Sequence, residues 1–276
     1  MFNNAARNYG KAMHVALAGL AMSCGSEYTK ADVPKLNAML ATHFERYPQP
    51  PDDHRQLGLA QETLAKYIQL YEVEPWTILS SNGFPLIERL LHCPISSYNG
   101  IPINFFGILD IGVQKSDGDW VVDRKTTYQL GKNFAFEMAM TGQMRGYCWM
   151  YQKCFGKLPM GYIVDAIRTS QPTEKCQADK ALLKKFWTEQ FARLPFYIDQ
   201  ERLDEWEGNT VATLRRIAGD WEKSQWPMND KSCVSKYGCC QFYDICSLPF
   251  AQRKVALQSN NFSENDWLAR NLEGKI

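Results

Sequence analysis

Long apolar runs are missing from this sequence, and none reaches the roughly 20 residues that a membrane-spanning helix needs. No membrane association is therefore expected. The first ten residues are polar and rich in Asn, without the apolar centre of an export signal, so the expected setting is the reducing cytoplasm. Repeats and low-complexity tracts are lacking too. With 45% hydrophobic and 22% charged residues in 276, the chain can bury one large core, or a core with a helical annex. An excess of charge is also absent, since 31 basic against 30 acidic residues leave a formal net charge of +1. Net charge will not draw in a polyanion, so any contact with nucleic-acid phosphates falls to local basic residues. Lys11, Arg124, Lys132, Arg145 and Lys153 are the candidates; Lys180, Lys184, Lys185, Arg215 and Arg216 read as a solvated helical face. Histidine is scarce at four residues, and His43, His54 and His92 sit in no recognisable motif.

What is present is concentrated in residues 107–126, GILDIGVQKSDGDWVVDRKT. The segment predicts two strands joined by a tight turn, with Asp117-Gly118 as the two-residue loop. On that register Ser116 lies opposite Asp119, and Asp110 lies opposite Lys125. Side chains alternate faces, so Asp110, Asp123 and Lys125 share one face, while Leu109, Ile111, Val113, Trp120 and Val122 point into a core. Carboxylates held this close repel unless a cation lies between them. Two Asp oxygens at the end of a sheet suit Mg²⁺ or Mn²⁺ and leave positions for water and phosphate. Such an ion activates water and neutralises charge on a phosphoryl oxygen, and Lys125 can orient that water or stabilise the transition state. The chemistry implied is metal-assisted hydrolysis of a phosphodiester.

Two further segments carry the reading onward. Asn8-Tyr9-Gly10-Lys11-Ala12-Met13-His14 opens an apolar helix, with Gly four residues before His. Gln143-Met144-Arg145-Gly146-Tyr147 places Gln and Tyr one helical turn apart on one face. Taken in order, G-x-x-x-H, D, D-x-K and Q-x-x-x-Y resemble the RecB-like branch of the PD-(D/E)XK nuclease superfamily. That branch includes the nuclease domains of RecB and AddB, CRISPR-associated RecB-like nucleases and phage exonucleases. The resemblance covers most of the chain. It implies an α/β fold: a mixed central sheet with flanking helices, a restriction-endonuclease-like core, and helical N- and C-terminal additions. It implies a single nuclease domain over 1–276, with a helical part at 1–85, the catalytic sheet and Q-x-x-x-Y helix at 86–170, and a helical part at 171–276. His14, Asp110 and Asp123 look like the metal ligands, with the backbone carbonyl of Arg124 adding an oxygen. Lys125 matches the catalytic lysine, Gln143 and Tyr147 the pair that positions DNA or that lysine, and Glu88 the acid that often begins the preceding strand. The activity implied is a DNA exonuclease of recombination, repair or phage DNA processing, acting on single strands or duplex ends, with a helicase or recombinase as partner. The alternative is a catalytically inactive DNA-binding or scaffold subunit of a helicase–nuclease assembly.

Of nine cysteines, four fall in one window: Cys233, Cys239, Cys240 and Cys246. In a reducing compartment such a cluster points to zinc or iron–sulfur rather than disulfides. The resemblance implies a 4Fe–4S cluster held by three C-terminal cysteines and one near the N-terminus. Cys240 and Cys246 have the spacing of the last two, and Cys233, with Cys239 in reserve, supplies the third. The N-terminal cysteine departs from the pattern, because none precedes Cys24. Iron–sulfur, zinc and no metal all stay open, as does a zinc-stapled DNA-binding module in which the hairpin charges are incidental. Cys93, Cys148, Cys154 and Cys176 read as small packing residues.

Periodicity predicts helices over 5–22, 30–46 (lightly broken by Pro34) and 57–71, the last capped by the Pro-rich turn at 47–53. Strands are expected over 88–94, 105–113, 120–126 and 160–168, with the Gln143–Tyr147 helix before the last. Residues 173–226 read as mainly helical, and the resemblance places a mobile loop at 133–137.

Overall fold

The computed structural model describes residues 5–224, 233–235, 238–240 and 242–258. The chain divides into two compact units, Met1–Thr210 and Val211–Ile276. Three helices open the first: α1 (Ala5–Cys24), α2 (Val33–Arg46) and α3 (Leu57–Leu70). Tyr9, Met13, Leu17 and Leu20 recur at helical spacing along α1 and are fully buried against Leu36, Leu40, Leu64 and Tyr67. Each such side chain contributes about 1.5–3 kcal/mol. The helix expected over 30–46 is two elements, a 3₁₀ turn at Tyr28–Lys30 and then α2. Asp32 caps α2 by accepting from the Lys35 amide at 3.1 Å, and Pro34 fits within its first turn. The Pro-rich turn does not cap α3. Asp53 is taken by Arg55 instead, at 2.6 and 2.8 Å, and α3 begins after Gln56.

The sheet follows: β1 (Thr77–Ile78), a small ribbon of β2 (Ser80–Ser81) and β3 (Phe84–Pro85), then β4 (Ile87–Tyr98), β5 (Ile101–Lys115) and β6 (Gly118–Thr127). After α4 (Lys132–Met140) and α5 (Gly142–Phe155) come β7 (Gly161–Arg168), α6 (Glu174–Ala178), α7 (Lys180–Thr188), β8 (Phe191–Tyr197) and α8 (Gln200–Glu222). The strand order is β1-β5-β6-β7-β8, with β4 also on β5. Only β6 and β7 run parallel; the other pairings in this sheet are antiparallel. This is the expected α/β architecture, a mixed central sheet with flanking helices and helical terminal parts. One face packs on α1 through Ile111, Val113, Trp120, Val122 and Ile163.

Three further expectations change. The hairpin loop is Ser116-Asp117, because Lys115 pairs with Gly118 and Ile111 with Val122. This two-residue slip keeps every side chain on its expected face, whereas a slip of one would have reversed them all. Asp117 fixes the turn by accepting from the Trp120 indole at 2.9 Å, and Gly118 adopts φ +136°, which a side chain would strain. Residues 133–137 belong to α4 rather than to a loop. Finally, β8 interrupts the region expected to be helical, and its Pro195 is tolerated at the sheet edge.

The second unit contains a short hairpin of β9 (Val234–Ser235) and β10 (Gly238–Cys239), followed by α9 (Tyr243–Cys246) and α10 (Phe250–Leu257). Among the described residues, no helix is long and apolar enough to cross a membrane.

Candidate active site

The site forms where β5 and β6 part. Their ladder ends at Ile111 and Val122, after which β5 continues against β4 alone. The next residues, Asp110 and Asp123, thus face each other where the strands separate, and continuing the register makes them partners in place of Asp110 and Lys125. The open edge of β6 is filled by side chains. The Arg124 amide donates to Asp110 Oδ2 at 2.8 Å, and the Arg124 carbonyl lies 2.6 Å from His14 Nε2. A carbonyl only accepts, so His14 carries its proton on Nε2, leaving Nδ1 toward Asp110 Oδ2 (3.5 Å) and Glu88 Oε1 (3.9 Å). The Arg124 oxygen, expected as a metal ligand, accepts this hydrogen bond from His14 through one of its two lone pairs.

His14 reaches this position because α1 approaches β6 closely one turn earlier. A Cβ built on Gly10 would lie 2.8 Å from Thr126 Oγ1, a contact only glycine avoids. Gly10→Val should therefore destabilise the protein by about 1–3 kcal/mol through overpacking. A thermal melt checks this, and Thr126→Ala in the same chain should recover part of the loss. A melting temperature equal to wild type would show that α1 does not depend on that approach.

Glu88, Asp110 and His14 bring their ligand atoms within 4.8 Å of one another, the convergent group of this kind among the described residues. Glu88 sits at φ +48°, a left-handed position that costs a side-chain-bearing residue of order 1–3 kcal/mol. Burial alone would lower the His14 pKa, but the hydrogen bond with Glu88 and the charges of Asp110, Glu88 and Asp123 raise it overall. Asp110 is also raised, by burial first and by Glu88 among its neighbours.

Asp123 lies outside that trio and is 1% exposed. Its carboxylate meets Lys125 Nζ at 2.8 and 3.1 Å, yet its pKa is pushed up to about 7, by burial and then by the charge of Asp110. Lys125 Nζ donates in turn to Gln143 Oε1 at 3.1 Å, and Gln143 Nε2 donates to the Tyr147 hydroxyl at 3.0 Å. Burial pushes Tyr147 up to about 12, so the phenol stays protonated. The residues singled out on α1, β5, β6 and α5 therefore surround one place. The donor set fits a hard divalent cation. Imidazole and carboxylates converge, the histidine's other N–H is held by a carbonyl as in bound metal sites, and burial raises both Asp110 and Asp123 despite the nearby Lys125 and His14.

Two of the basic residues suggested for phosphate contact are engaged elsewhere. Arg124 is 3% exposed and points to the opposite face, and Lys153 pairs with Glu207 at 3.3 Å. Under the site lies a group the sequence reading missed. Arg124 Nε is 3.8 Å from Asp165, which also accepts from Tyr67 and from Arg193 Nε at 3.4 Å. Arg193 in turn grips Glu74 at 2.6 and 2.7 Å. A charged residue inside the apolar strand run Tyr162-Ile163-Val164-Asp165-Ala166-Ile167 was the available signal.

In the second unit the Cys240 amide donates to the Cys233 carbonyl at 2.8 Å, and the Phe242 amide approaches Cys240 Sγ at 3.5 Å. Among the described residues, no three of the thiols of Cys233, Cys239, Cys240 and Cys246 lie within 4.8 Å of one another, the spacing of ligands on a single ion. Models of known protein families and curated proteins give no match to this chain.

Proposed function

We propose that this chain is a metal-dependent DNA nuclease of the RecB-like PD-(D/E)XK kind, an exonuclease of recombination, repair or phage DNA processing in the cytoplasm. The observation that carries this reading is the Lys125–Asp123 pair set beside the His14–Glu88–Asp110 donors, with Gln143 and Tyr147 holding the lysine. His14, Glu88 and Asp110, with Asp123, would hold Mg²⁺ or Mn²⁺. When bound, such an ion supplies Lewis-acid charge and a more acidic water.

The chain's own residues supply the rest. Lys125 places a positive charge where a phosphoryl oxygen gains negative charge, in a site already walled from water on one side by the sheet. Gln143 orients the ammonium, and Tyr147 orients Gln143. Lys11 and Lys132, both exposed, and Arg145, partly so, are free to meet a strand's phosphates locally, as a chain of nearly zero net charge requires. The acids from β4 and β5 and the imidazole from α1 come from separate elements, so the site exists only in the folded protein.

End-labelled single- and double-stranded DNA incubated with Mg²⁺ or Mn²⁺ tests the proposal. Metal-dependent shortening that a chelator abolishes is expected. Intact label under all conditions, with DNA still bound, would favour the scaffold alternative instead.

A further inference from the structure

We infer that the buried charges behind β6 act as a positioning device for the metal site, with Asp165 and Arg193 fixing Arg124 so that its main chain holds Asp110 and His14. The inference rests on the metal-dependent reading above.

Arg124 stands between Asp123 and Lys125 and turns its side chain to the other face. In an extended strand the N–H and C=O of one residue point to the same side. At Arg124 that side is the one β5 has left, so both groups lack a strand partner. They bind site side chains instead, the N–H to Asp110 at 2.8 Å and the C=O to His14 at 2.6 Å. The direction of these two bonds follows the orientation of one peptide segment, and the Arg124 side chain anchors it. Its guanidinium reaches Asp165, its direct register partner on β7, at 3.8 Å, and the Tyr28 hydroxyl at 3.4 Å. Asp165 is clamped from the far side by Arg193, which stacks on Tyr71 at 3.5 Å and Trp76 at 4.3 Å.

Arg124, Arg193, Asp165 and Glu74 balance as two positive and two negative charges, with Arg124, Asp165 and Glu74 buried and Arg193 part-buried. A buried ion network of this kind is weak evidence for stability, since well-packed apolar groups in its place are often neutral or stabilising. Its distinctive consequence here is directional. Groups behind a metal ligand that orient it commonly change metal affinity by 10- to 100-fold when removed.

The test is Arg124→Met combined with Asp165→Leu, which removes one positive and one negative charge and leaves the Arg193–Glu74 pair intact. Isothermal titration with Mn²⁺ should show at least about a tenfold loss of affinity, with cooperative melting retained. Arg124→Lys guards against misfolding: it keeps the charge but not the planar fork, and should also weaken Mn²⁺ binding without lowering the melting temperature. Wild-type binding with unchanged affinity in both variants overturns this inference alone. Wild-type protein that takes up no Mn²⁺ overturns the metal reading and this inference with it.

Discussion

Lys125→Ala is expected to slow metal-dependent DNA cleavage by about 10²- to 10⁴-fold, the range that a positioned proton-transfer or charge-stabilising group supplies. The ammonium is only part-buried, so its loss opens no cavity in the core. Its hydrogen bonds to Asp123 and Gln143 are the contacts that fix it, and neither belongs to the hydrophobic framework. The fold should therefore persist, and so should DNA affinity, which the exposed Lys11 and Lys132 serve independently. Single-turnover cleavage at saturating Mn²⁺, set beside anisotropy binding with chelator present, separates the two quantities. Lys125→Arg should not restore the rate, because a planar fork does not occupy the point position between Asp123 and Gln143. Cleavage by Lys125→Ala close to the wild-type rate would remove this residue from the reaction.

Side-chain alternation made the faces of the hairpin legible, because strand geometry forces period two whatever the register. The register itself was not legible. A slip of two residues preserves the pattern, and the choice is settled by Asp117 bonding the Trp120 indole, a contact beyond any periodicity. The grouping of His14, Asp110, Asp123, Lys125, Gln143 and Tyr147 was legible from motif order. Glu88 entered more weakly, since its part depends on a left-handed backbone that sequence does not announce. The strand β8 was hidden between two amphipathic helices and carries Pro195. Gly131, at the N-cap of α4, makes no side-chain capping bond, so its start left no sequence signal. Arg124, Asp165, Arg193 and Glu74 were hidden for a different reason. Charged residues default to solvent, and their burial follows from four partners far apart in sequence.

Asp123→Asn should abolish cleavage and, in the metal-free protein at pH 8, raise the melting temperature. Asp123 is nearly inaccessible, and its pKa is pushed up from 3.8 to about 7 by burial, then by the charge of Asp110, with Lys125 only partly offsetting both. A carboxyl whose pKa is raised by folding favours the folded state fully while protonated in both states. That contribution fades as pH rises from near the unfolded value, 3.8, through about 7. Above this range the folded wild type carries an ionised acid that its surroundings resist. Asn keeps the shape without the charge, and Lys125 retains Gln143 and its access to water. The advantage of the variant should therefore be largest near pH 8 and shrink toward pH 5, where wild-type Asp123 holds its proton. Saturating Mn²⁺ should reverse the order, because a ligand that binds only the folded wild type stabilises it by mass action. Melting curves at pH 5 and 8, with and without Mn²⁺, give the four values needed. A variant that is less stable at pH 8 without metal, or a difference independent of pH, would mean that Asp110 and Asp123 do not strain each other. The site would then have no need of a cation between them.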